Sequence, residues 1–337
     1  MAAVAVSVLA VPKPALADLP PAPNLVANPV AADRDFVRWL SVHDPRATVR
    51  SVARSTLLSG GGTDEAAIKA FLTSGYATAL DQAAQTRTRQ LDYANRMAST
   101  HPAQFYPWVN AAALRAASGT AAELAEFSST GYAAALAKDD AKVPYDDGAA
   151  QVTEEDYEVI GIVARTDAAP TVRRRAGEVT TDADVAEFLR YGWVSAAGID
   201  SDSFREQYVA GEWEQWRFAR QDTLLAVTAD RAARAGTANP SAAIRGWQNV
   251  KNRFAPMPPT WTYEQQSARD QVNTWTRNLQ FAAGSTGPLW TQFAAKAPAV
   301  RTQWVAEVNG AIEQTAWWNN LVGYAAAAAD EWLHSDD

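Results

Sequence analysis

The 337-residue sequence contains no cysteine, and only three histidines and six lysines. Without cysteine there is no disulfide scaffold, no thiolate metal site and no cysteine nucleophile. His43 and His101 lie in turn-like Val-His-Asp-Pro and Thr-His-Pro contexts, and His334 is the fourth residue from the end. No HExxH, phosphate-cradling GxxxxGK[ST] or nucleophile-elbow sequence accompanies them. No uninterrupted apolar run reaches the roughly 18 residues that a membrane span needs. The net charge of −8 and pI near 5.1 exclude a generally basic, nucleic-acid-coating protein. The sequence therefore implies no cofactor, no metal, no nucleic-acid partner and no membrane span.

What is present argues for helices. Alanine supplies 71 residues and tryptophan 13, while 47% of the chain is apolar, which argues against disorder. At roughly 150 residues per domain the length allows about two domains. Residues 2–11 form a short apolar run, and Ala15 and Ala17 stand at −3 and −1 of a cleavage site before Asp18. This layout is that of a secretory signal peptide over 1–17, lacking a basic first segment. A Pro-rich segment over 18–40 follows.

Three ungapped segments then repeat. The first contains Ile68, Phe71, Leu72, Gly75 and Tyr76; the second Leu124, Phe127, Ser128, Gly131 and Tyr132; the third Val185, Phe188, Leu189, Gly192 and Trp193. Each has an aliphatic residue, a Phe three later, a Gly four later, then an aromatic. Val49, Val52, Ala53, Thr56 and Leu57 trace one helical face, with Asp44-Pro45 as an expected N-cap and first helical residue. Thr120-x-x-Glu123 and Thr181-x-x-Asp184 read as capping boxes. Gly75, Gly131 and Gly192 are expected to close short helices as left-handed C′ residues. A helical hairpin cannot bury its own apolar face, so neighbouring copies are expected to stack.

The alanine-rich setting around a fixed Phe, followed by FLxxG(Y/W), resembles the ALF repeats of secreted actinobacterial proteins. The second copy departs from the pattern at Ser128 and at Phe105-Tyr106-Pro107-Trp108. The resemblance implies secretion and a repeat scaffold that docks partner proteins, and it brings no catalytic residues.

After about residue 200 the texture changes. Trp247, Trp261, Trp275, Trp290, Trp304, Trp318 and Trp332 are spaced 14, 14, 15, 14, 14 and 14 apart. Prolines over 256–259 and at 288 and 298 predict several helices sharing a tryptophan core rather than one long helix. Trp213, Trp216, Trp317 and Trp318 are the candidates for a ligand surface. Glu212, Glu214 and Asp222 are the carboxylates that would serve a glycosidase beside them. Asp139-Asp140, Asp146-Asp147 and Glu154-Glu155-Asp156 read as a solvated acidic connection, and Arg173-Arg174-Arg175 as a small cationic spot.

The expectation is an all-α, secreted protein. Three stacked ALF-like helical-hairpin repeats occupy 41–200, and a Trp-rich helical bundle occupies 201–337. The turns at 60–63, 118–120 and 180–182 would carry contacts to secreted protein partners. A glycan binder or hydrolase using the C-terminal half is the alternative.

Overall fold

The computed structural model describes residues 19–62, 64–285 and 287–334, so the expected leader over 1–17 lies outside the described residues. Among those described, every regular element is helical and no strand occurs. After α1 (Asn24–Ala27) and α2 (Pro29–His43), three stretches share one plan: a first helix, a short second helix, a π turn and a third helix. They are α3 (Ala47–Leu58), α4 (Glu65–Ala70) and α5 (Tyr76–Thr100); α6 (Pro107–Ser118), α7 (Ala121–Glu126) and α8 (Tyr132–Asp140); and, after α9 (Glu154–Thr166), α10 (Pro170–Gly177), α11 (Asp182–Glu187) and α12 (Trp193–Arg234). The chain ends in α13 (Pro240–Phe254), α14 (Met257–Gly284) and α15 (Pro288–Leu333).

The repeat glycines do not end helices. Phe71–Gly75, Phe127–Gly131 and Phe188–Gly192 are each one π turn, and the helix runs on through it. Gly75 and Gly131 have right-handed φ values of −62° and −65°. The backbone does not demand glycine there, and the ring of each copy's own Phe packs against it. A Cβ on Gly75, Gly131 or Gly192 would stand 3.3–3.6 Å from the ring of Phe71, Phe127 or Phe188. The next aromatic then packs on that Phe, with ring centroids 6.2, 6.3 and 5.6 Å apart in the three copies. All three Phe are buried.

Both expected capping boxes form, at Thr120/Glu123 and Thr181/Asp184, and a third forms at Thr153/Asp156. The Asp44-Pro45 cap does not, since α3 starts at Ala47. Asp44 is instead buried and accepts from Arg46 N, Nε and Nη2 and from the Tyr76 hydroxyl. Thr48-Val49-Arg50 and Thr171-Val172-Arg173 have matching tasks. Arg50 Nη1 donates to the carbonyls of Asp44 and Pro45, and Arg173 Nη1 to those of Asp167 and Ala168. In the divergent second copy Asn110 Nδ2 takes over, donating to the carbonyls of Ala98 and His101. The side chain changes while the job, satisfying loop carbonyls before the first helix, stays.

Two compact units are resolved. One combines the described residues up to Phe36 with Ala210–Gln265 and those from Gly310 onward; the other combines Val37–Val209 with Gln266–Asn309. Residue 200 falls inside α12, and the core of the third copy (Val172, Val185, Phe188, Leu189, Trp193) is completed by Trp275, Trp290, Phe293 and Trp304.

The helix α15 passes through Pro298 without a break, against the expectation. Proline removes one hydrogen bond there, but Phe293, Ala297, Val300 and Trp304 are buried on both sides and hold the helix. The 14-residue tryptophan period is thus two heptads of one helix face. Trp290, Phe293, Ala297, Val300, Trp304, Glu307 and Ala311, then Trp318, Leu321, Ala325, Ala328 and Trp332, follow alternating steps of three and four and are buried. In α12 the same steps run Val209, Glu212, Trp216, Ala219, Thr223 and Ala226, buried, then the half-buried Asp230 and the buried Ala233. Wide indoles alternate with alanine, and interdigitation needs that alternation.

Candidate functional site

The tryptophans proposed for a ligand surface divide. Trp216 is buried and stacked on Phe36, with centroids 4.3 Å apart and planes 2° apart. Trp318 is fully buried and stacked on Phe254. Neither is available to a ligand, because the heptad face turns both inward. Trp213 and Trp317 are half-buried.

The carboxylate beside them is equally enclosed. Glu212 accepts from Trp261 Nε1 at 2.9 Å and from Trp318 Nε1 at 3.0 Å, and burial pushes its carboxyl up to about 7. Glu214 is exposed, and Asp222 pairs with Arg253 at 3.0 Å. A second carboxylate of the same unit repeats the arrangement: Asp230 Oδ1 accepts from Trp332 Nε1 at 2.6 Å and Trp247 Nε1 at 3.4 Å. Arg234 closes that cluster by bonding Asp230 and Glu331, and these bonds raise its guanidinium against the opposing effect of burial. An indole N–H needs one acceptor when buried, and these carboxylates supply it. They face tryptophan rather than a glycosidic bond.

Of the acidic connection, Asp140, Asp146, Asp147, Glu154 and Glu155 are exposed, as expected, while Asp139 and Asp156 are buried. Asp139 is buried and accepts from Trp108 N at 3.0 Å and Val109 N at 2.9 Å, capping α6. Asp200 does the same for α10 through Thr171 N and Val172 N. Asp139 and Asp200 stand eight residues after Gly131 and Gly192, a spacing visible in the sequence. Asp156 joins its capping box and accepts from Trp290 Nε1 at 2.7 Å. No group of three or more His, Asp or Glu positioned for a metal occurs among the described residues.

What remains is a cleft in the repeat-bearing unit, a cavity of about 340 Å³ between the second and third copies. Its floor includes Ala112 and Ala116 of α6, Phe127 and Gly131 of one π turn, and Tyr191 and Gly192 of the next. Arg115 grips Glu187 with Nε–Oε1 and Nη2–Oε2 distances of 2.6 Å each, and lies 3.8 Å from the Tyr191 ring centroid. Burial opposes the Arg115 charge, but the two-pronged bond to Glu187 outweighs it and raises the guanidinium. Lys296 Nζ lies 4.0 Å from the same ring centroid and donates to the Arg190 carbonyl at 3.1 Å. Arg175 donates to the Ser118 carbonyl, and at 3.4 Å to Ser195 Oγ. Burial, and then the neighbouring charges of Arg115 and Arg174 respectively, lower Lys296 and Arg175.

The turn at 118–120 supports this wall. Glu123 Oε2 accepts from Thr120 N at 2.7 Å and Ser195 Oγ at 2.8 Å, linking the two copies. Gly119 makes room for it, since a Cβ there would meet that oxygen at 2.5 Å. Of Arg173-Arg174-Arg175, only Arg175 enters the cleft, because Arg173 binds loop carbonyls and Arg174 pairs with Glu178 in solvent. Sequence reading missed Arg115, Glu187, Tyr191 and Lys296 as a group. Arg115 and Lys296 come from elements far apart in sequence, and only Tyr191, beside Gly192, carries a positional cue.

No family model, curated protein or solved structure matches the chain. No described helix is long and apolar enough to cross a membrane.

Proposed function

We propose that the chain is a secreted, non-catalytic protein-interaction module built on ALF-like repeats, its copies stacked so that they present clefts to partner proteins. The observation that carries this reading is the cleft at the junction of the second and third copies, where Arg115–Glu187 and Ser195–Glu123 bridge the two copies around an open cavity. Stacked repeats characteristically build binding surfaces of this kind. The recurring Phe–Gly–aromatic π turn and the exchange of Arg50 and Arg173 for Asn110 support descent of the three copies from one unit. The glycan alternative keeps the half-buried Trp213 and Trp317 and the exposed Glu214, but loses Trp216, Trp318 and the carboxylate of Glu212, which is enclosed by indoles.

Affinity purification from the culture supernatant of the producing organism, with the chain from Asp18 as bait, tests the reading. Recovery of a specific protein partner is expected, and recovery of none above background would overturn it. Mass spectrometry of the exported chain is expected to find Asp18 as its first residue; retention of 1–17 would contradict secretion through this signal.

A further inference from the structure

We infer that the cleft between the second and third copies takes a single carboxylate side chain of a partner polypeptide, held by Lys296 and Arg175 beside the ring of Tyr191. The inference rests on the protein-interaction reading and deepens it.

Three cations and three carboxylates line the cleft, and they are unevenly paired. Arg115 is neutralised by Glu187 at 2.6 Å. Lys296 and Arg175 have no carboxylate within ion-pair distance among the described residues; each donates to a main-chain carbonyl, of Arg190 and Ser118 respectively. A carbonyl accepts a hydrogen bond without cancelling the charge. An ammonium has three N–H donors and a guanidinium five, so both keep donors for a ligand. Both cations line the cleft. Lys296 stands over the Tyr191 ring, and Arg175 Nη1 reaches the Gly192 carbonyl at 3.5 Å. Burial already penalises both as cations, and an arriving anion relieves that penalty.

The surroundings narrow the anion. A cavity of about 340 Å³ sits at the small end of ligand sites, which run from roughly 300 to 1,000 Å³. It admits a side chain and adjoining backbone but no folded element. Ala112, Ala116 and the ring of Phe127 offer apolar wall to methylene groups. Glu123, Glu126 and Glu187 also line it, and their charge disfavours a doubly charged phosphate more than a single carboxylate.

The test is an NMR titration of the full chain at low salt with acetyl-Gly-Glu-Gly-amide and acetyl-Gly-Gln-Gly-amide, following the amides of Gly192 and Ser195. The glutamate peptide is expected to bind at least tenfold tighter and to weaken with added salt. Lys296→Gln and Arg175→Gln are each expected to lower its affinity roughly tenfold, as loss of a charge-assisted bond does, while Lys251→Gln leaves it unchanged. Equal binding of the two peptides, or wild-type affinity in Lys296→Gln, overturns the inference. Should Arg175→Gln not fold, Lys296→Gln on the exposed rim decides alone. Tighter binding of inorganic phosphate or of a glucuronate disaccharide than of the glutamate peptide also overturns it. A captured partner held equally by wild type and Lys296→Gln removes the cleft assignment and leaves the interaction reading standing. Selective glutamate binding with no captured partner does the reverse.

Discussion

In the repeat-bearing unit, Asp139, Asp200, Glu123 and Asp184 accept main-chain N–H groups at the starts of helices. In the other unit, Glu212 and Asp230 occupy heptad positions of α12 and accept indole N–H groups from two tryptophans each. The first use spends an acidic residue on a helix terminus, where the backbone leaves orphan donors and the helix dipole favours negative charge. The second draws a carboxylate into the core because large indoles bring a polar atom in with them. The same residue types look alike in a composition count, yet removing one has different consequences in the two places.

The largest effect should follow from orphaning two buried donors. Glu212→Leu is expected to destabilise its unit by about 4 kcal/mol, from roughly 1–3 kcal/mol per unsatisfied group, measured by denaturant unfolding. Asp184→Ala removes only a capping interaction and is expected to cost about 1 kcal/mol. Equal costs would erase the distinction between the two regions.

The next effect is one of pH. The Glu212 carboxyl titrates near 4.5 when unfolded and near 7 when folded. Below about 4.5 both states hold the proton. Between the two values only the folded state does, so stability falls as pH rises and levels off above about 7. The loss is on the order of 3 kcal/mol by linkage. Glu212→Gln, which cannot titrate, should flatten this part of the stability–pH profile.

Smaller differences separate the glycines. Gly148 has a φ of +83°, and a Cβ there would approach Arg190 Nη1 to 2.8 Å. Gly148→Ala is therefore expected to cost about 1–2 kcal/mol. Gly131→Ala sits in right-handed backbone, where helix propensity gains about 1 kcal/mol and contact with the Phe127 ring offsets it. Its net change in unfolding free energy should stay below about 1 kcal/mol in either direction. A large loss at Gly131 would restore the left-handed role expected from sequence.

Helical class, the capping boxes and the buried Phe of each copy were legible because they depend on local spacing. The π turn was not, since Phe-x-x-x-Gly at the end of a short apolar stretch looks like a helix stop, and only the ring lying on the glycine distinguishes the two. The heptad face of α15 was half visible in the 14-residue tryptophan period. Pro298 argued for a break, and burial of Ala297, Val300 and Trp304 around it prevailed. The cleft was illegible because its pairs, such as Arg115 with Glu187 and Lys296 with Arg190, join residues 72 and 106 positions apart.

The difference between the two regions comes down to the unit holding Glu212 and Asp230 spending its buried indole N–H groups on its own carboxylates. Hydrogen exchange of the indole N–H groups, resolved by NMR and assigned with Trp→Phe variants, tests it directly. Trp247, Trp261, Trp318 and Trp332 should exchange orders of magnitude more slowly than Trp213 and Trp317, and none of the four should shift when oligosaccharides are added. Rapid exchange at Trp261 and Trp318, or a sugar-dependent shift of either, would contradict the account.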